Sequence, residues 1–216
     1  SDEPMSPEHW QFGGTRPWNY PTRRIAAVAR LYGDPERGGL FQSLLRRVQT
    51  LTPKDSPPPR RLRGLIKDLR ATFSELNDDY WSRRCRFGGN PFARSIRLIG
   101  PERATVILVN VVVPLLLAHA RSQSDEGLES RLDVLYDAVP APSANAVTRR
   151  MSGMLFSSDE GRKSCVRSAR HQQGLHQLYA DFCGREESGC ETCLVRLELL
   201  VRQAANKARS PGRSRP

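Results

Sequence analysis

Lysine is almost missing from this sequence. Of 34 basic residues only Lys54, Lys67, Lys163 and Lys207 are not arginine, and 23 acidic residues leave a net charge of +11. Arginine forms planar, bidentate contacts with phosphate and also pairs with carboxylates in folded cores, so the excess fits a polyanionic partner such as DNA or RNA. A GC-rich genome produces the same bias, and charge alone does not choose between the two. Catalytic patterns are missing too. The four histidines, His9, His119, His171 and His176, form no H-x3-H or H-E-x2-H pair, and there is no P-loop and no G-x-G-x-x-G. Zinc-protease helices and phosphate-cradling loops are thereby excluded. No stretch alternates apolar and polar residues long enough for a strand, and no repeat recurs at a fixed period, so the expected class is all-α.

Two further absences bear on location. The most apolar segment runs from Ala104 to Ala118, interrupted by Asn110, which is shorter than the ~20 residues a membrane span needs. The chain has no basic-then-apolar leader, and it begins with Ser1 rather than Met, which suggests a piece of a longer protein. Five unevenly spaced cysteines do not make a secreted disulfide scaffold. A reducing, cytoplasmic setting without membrane contact is expected.

What is present reads as an irregular bundle of helices. Residues 1–20 form an extended arm, residues 21–205 a single helical domain with a proline-rich loop near 52–60, and residues 206–216 a disordered basic tail. Apolar residues recur at helical spacing in Ile25, Val28, Ala29 and Tyr32, then in Leu40, Leu44, Leu45, Val48 and Leu51. The same holds for Leu62, Leu65, Ile66, Leu69 and Phe73, for Leu128, Leu132 and Leu135, and for Leu194, Leu197, Leu200 and Val201. The apolar segment reads as a central buried helix, kinked because Pro114 has no N–H for the carbonyl of residue 110. Asn110 beside that gap could satisfy the freed backbone or read a partner; the structural role is expected, since buried polar groups find local partners.

Two patterns carry candidate chemistry. Cys183, Cys190 and Cys193 are spaced C-x6-C-x2-C, with the C-x2-C pair on one tight turn, as in a structural zinc site. A fourth ligand is not at hand. His176 lies seven residues before Cys183 on a predicted helix, about 10 Å away at helical rise, against metal–ligand bonds of ~2 Å. A C-x6-C-x2-C-x5-C iron–sulfur loop would need cysteine where Leu199 stands. Zinc and unmetallated thiols both stay open. The second pattern is "RPWNYPTRR", which interleaves Arg16, Asn19, Arg23 and Arg24 with Trp18 and Tyr20. Basic and aromatic side chains together pair phosphates and stack on bases; the competing reading is an arm docked on the core.

Five local patterns occur in order: "WQFGGTRPWNYPTRRIA", "YWSRRCRF", "IGPERATVILVNVVVPLLLA", "NAVTR" and "QQGLHQLYADFC" followed by C-x2-C. From about Trp10 to Leu194 the chain thereby resembles the C-terminal half of the bacterial DUF2851 family. The resemblance implies an absent N-terminal, strand-rich half, similar to a PD-(D/E)XK nuclease core, as the domain's own partner. It carries no catalytic residue onto this chain. It includes the three cysteines and supplies no fourth ligand. The expectation is a non-catalytic helical accessory domain, cysteine-pinned, that contacts nucleic acid; the alternative is a scaffold packing on its own N-terminal half or another protein.

Overall fold

The computed structural model of the chain describes residues 16, 19–33, 39–51, 58–156, 158–183, 193, 196–198 and 200–201. Most of the arm, the centre of the proline-rich loop, Cys190 and the basic tail lie outside them. The described residues are mostly helical and form no strand; an isolated antiparallel bridge joins Pro140 to Ser168. The all-α expectation therefore holds. The chain divides into two compact units, Ser1–Ala138 and Val139–Pro216.

The first unit contains α1 (Pro21–Tyr32), α2 (Leu40–Gln49), α3 (Pro59–Ser74), α4 (Pro101–Ile107), α5 (Val113–Ser122) and α6 (Glu126–Ala138). Proline starts several of these helices, because a first-turn residue has no intrahelical use for its N–H. Pro21, Pro59 and Pro101 each open a helix in this way. Leu44, Leu45 and Val48 of α2 are buried with Leu65, Ile66, Leu69 and Phe73 of α3 and Leu128, Leu132 and Leu135 of α6. These are the stripes that the sequence period marks, and α2, α3 and α6 pack on one another.

Helix α1 departs from its period. Ile25, Val28 and Tyr32 are exposed at 54%, 53% and 73%, whereas Arg23, Ala26 and Ala27 are buried. The helix is turned about its axis to bring an arginine inward. Ala26 and Ala27 form a small core with Leu76 and Leu98, flanked by Leu31, Trp81 and Ile99. The apolar stripe expected to be core is thus a surface stripe.

A five-residue π turn, Leu108–Val112, joins α4 to α5. The N–H of Val113 donates to the Leu108 carbonyl, one residue farther back than in an α-helix. Pro114 follows with no N–H to give, so the expected kink takes the form of a wide turn just ahead of the proline. Asn110 lies in this turn on its exposed side, which corrects the expectation of burial. The helical run Pro101–Ser122 has 22 residues and contains an 18-residue window of mean hydropathy 1.8, long and apolar enough to cross a membrane by length and composition, with 44% of that window buried. That corrects the length expected from the apolar run alone. Its inner side, including Leu108, Val112 and Leu116, is buried, with α4 against α3 and α5 against α6.

The second unit contains α7 (Ala146–Leu155), α8 (Asp159–Cys165) and α9 (Ala169–Phe182), with α7 packed on α9. Both packed helices begin with reciprocal caps. The Asn145 side chain accepts from the N–H of Thr148, whose hydroxyl accepts from the N–H of Asn145. Ser168 and His171 do the same for α9. Such boxes satisfy N–H groups that a helix start leaves without intrahelical partners. Leu197, Leu200 and Val201 of the expected last helix are exposed.

Candidate functional site

Residues 75–100 connect α3 to α4 without regular structure, yet they are closely fastened. The N–H groups of Phe92, Ile96 and Leu98 donate to the carbonyls of Arg83, Ser82 and Leu76 at 2.6, 2.7 and 3.3 Å, so the segment doubles back on itself. Arg23 closes it from α1. Its guanidinium is fully buried and donates to the carbonyls of Trp81, Arg84, Ile96 and Arg97, the last two at 3.0 Å. The same group lies 5.6 Å from the centroid of the Phe92 ring. Burial lowers the Arg23 pKa from its ordinary value, and the nearby Cys85 thiol acts in the opposite direction. A buried cation is tolerated where its donors are met by carbonyl dipoles, and a planar fork with five N–H groups suits several at once. Arg23, expected to face phosphate, is instead an internal clasp; its donors are used inside the fold.

Asp78 is the second fastening. Its Oδ1 accepts from the N–H groups of Tyr80 and Trp81 at 3.0 and 2.8 Å, and its Oδ2 pairs with Arg30 of α1 at 3.0 Å. Partial burial works to raise the carboxyl pKa, but the Trp81 N–H, the Arg30 guanidinium and the Tyr80 N–H outweigh it and hold Asp78 below the ordinary carboxylate range.

On this scaffold sits a group of rings and guanidinium groups. Tyr80 and Trp81 meet edge to face with centroids 4.9 Å apart, and Phe87 lies 4.8 Å from Trp81 and 6.0 Å from Tyr80. The Arg84 guanidinium lies over Tyr80 at 4.8 Å and that of Arg86 over Tyr20 at 5.8 Å. The Tyr20 side chain, and to a lesser extent the Cys85 thiol, hold the Arg86 pKa above its ordinary value. Arg83, Arg86, Arg94 and Arg97 are exposed, as is Arg24 on α1. Of the arm, Arg16 is exposed and its carbonyl accepts from the N–H of Asn19 at 2.8 Å, while Trp18 lies outside the described residues. The Arg–aromatic alternation that marks residues 16–24 recurs in "YWSRRCRF". That recurrence is the signal pointing to Arg84, Arg86 and Phe87, which the motif reading did not single out.

The cysteines are placed as follows. Cys183 ends α9, half-buried, with its Sγ 3.9 Å from the Met151 sulfur. Cys193 is buried, and Cys190 lies outside the described residues. Among the described residues no three His, Cys, Asp or Glu side chains stand close enough to hold a metal ion. His176 is engaged elsewhere, 3.0 Å from the Asn145 side-chain amide. A cavity of about 710 Å³ lies between α2 and α3, lined by Leu40, Ser43, Arg47, Asp68, Ala71, Thr72, Glu75 and Leu76. Arg47 spends donors there on the Thr72 hydroxyl and the Asp68 carbonyl at 2.7 and 3.0 Å.

The described residues thus make up a basic, mostly helical chain whose first unit carries this fastened Arg–aromatic segment, and they show no recognisable catalytic centre. The sequence profile of the family described as "Protein of unknown function (DUF2851)" matches residues 2–145, two thirds of the chain. The chain belongs to that family. Neither the comparison with curated proteins nor that with solved structures finds a match.

Proposed function

We propose that this chain is a non-catalytic helical accessory domain that contacts nucleic acid on behalf of a nuclease-like part of a longer DUF2851 protein. The observation that supports it best is the fastened segment 75–100, which carries exposed arginines beside aromatic rings on a chain of net charge +11. Guanidinium groups at a surface neutralise phosphates, and held rings offer bases a stacking partner. Mobility-shift titration of the chain with DNA and RNA at low salt tests the reading. A shifted band that weakens as salt rises supports it; no shift for either polymer rejects it.

A second reading is favoured by a different observation. Ile25, Val28 and Tyr32 on α1, and Val111 and Leu115 at the centre of the long helix, are large apolar side chains at the surface. Exposed apolar stripes mark sites of association, so the domain also fits a scaffold packing against its own N-terminal half. The three-cysteine spacing supports a structural zinc on Cys183, Cys190 and Cys193, whose test is elemental analysis with Cys190→Ser as control.

A further inference from the structure

We infer that the tip of the 80–97 segment is a base-stacking platform for single-stranded nucleic acid, with Phe87 as the stacking ring. The inference rests on the nucleic-acid reading above and names its substrate class.

Phe87 is 78% exposed, more than any other large hydrophobic side chain described. An exposed ring is ordinarily unremarked, but this one is held. The Tyr80 hydroxyl accepts from the N–H of Gly88 at 2.9 Å and donates to the Arg86 carbonyl at 3.3 Å, which pins the backbone on both sides of Phe87. Gly88 turns the chain at φ +65°, a conformation side chains other than glycine rarely adopt. The ring then rests against Trp81, its centroid 4.8 Å away and its plane at 76°. A ring fixed before binding loses little rotational freedom when a base settles on it.

The charge around it matches one kind of partner. Residues 79–100 contain five arginines and a single acidic residue, Asp79. Arg84 and Arg86 lie over the Tyr80 and Tyr20 rings, which fixes two of these charges within the same ring group. Aromatic rings beside a basic track are the pattern of single-strand binding, since every base has a face to stack. Duplex DNA keeps its base faces covered, and this segment offers neither a helix nor a ribbon to read a groove. Insertion into a lipid surface scales with buried apolar area, and one ring provides little of it.

The test uses the whole 216-residue chain and fluorescence anisotropy with three probes: an oligothymidine of ~20 nucleotides, a blunt duplex of equal length, and vesicles of phosphatidylglycerol and phosphatidylcholine. The expected result is tighter binding of the single strand than of the duplex. Phe87→Ala then weakens single-strand binding about tenfold or more, Phe87→Leu does likewise, Phe87→Trp retains it, and duplex binding is unmoved. Unchanged thermal melting of the variants establishes that the fold survives. Equal, salt-dependent binding of both polymers that is indifferent to Phe87 overturns the stacking platform and leaves phosphate contact standing. No binding to either polymer overturns both, and vesicle binding without oligonucleotide binding assigns the tip to a membrane surface instead.

Discussion

Arg23 is the residue on which the first unit's irregular segment depends. Four carbonyls converge on it from Trp81, Arg84, Ile96 and Arg97. Arg23→Ala leaves those carbonyls buried without donors, and a loss of about 3 kcal/mol is expected in chemical denaturation. Arg23→Lys restores the charge but not the planar fork, so it recovers only part of the loss. Full stability in Arg23→Ala would show that the guanidinium is not a clasp. Asp78 allows a pH test. Its carboxyl pKa is lower in the folded chain than the ordinary value, so its stabilisation is fully present above about pH 4 and is lost as pH falls through the lowered value. Asp78→Ala is expected to cost about 1 kcal/mol at neutral pH, a difference that closes in acid. Asp78→Asn keeps an acceptor for the Tyr80 and Trp81 N–H groups and removes the titration. Melting curves at neutral and acid pH check both.

At the level of elements, the sequence and the structure agree where burial is decided locally. The stripes of α2, α3 and α6 were legible because leucine and phenylalanine recur at the helical period with no stronger competitor nearby. Pro114 marked its own irregularity, since a missing N–H must break the ladder wherever the helix runs. The bounds of α1 were legible from Pro21 and Gly33, but its buried face was not. Hydropathy places Ile25 and Val28 inside, but the carbonyls of a segment some 60 to 70 residues away draw in Arg23, and only the tertiary fold brings them near. The candidate site was half legible for the same reason. The Arg–aromatic pattern singled out at residues 16–24 recurs at "YWSRRCRF", where it was passed over, and which arginines face outward depends on those long-range carbonyls. The helix starts of the second unit make a further prediction. Ser168→Ala removes the acceptor that caps α9 and is expected to cost about 1 kcal/mol, read as a lower melting temperature. An unchanged melting temperature would mean that water caps the helix equally well.

For the whole molecule the central question is whether its positive charge meets phosphates. Association with a nucleic acid releases counterions, so the slope of log affinity against log salt reports the number of phosphates neutralised. Exposed Arg83, Arg86 and Arg94 belong to the segment that Arg23 and Asp78 fasten. The most direct measurement is anisotropy of a labelled single strand titrated with the chain across a salt series, compared with the Arg83→Gln, Arg86→Gln, Arg94→Gln triple variant. Nucleic-acid contact through this segment predicts steep salt dependence in the parent and a slope reduced by about two in the triple variant, at ~0.7 per phosphate contact. Binding absent at low salt, or a slope that the triple variant leaves unchanged, would contradict it.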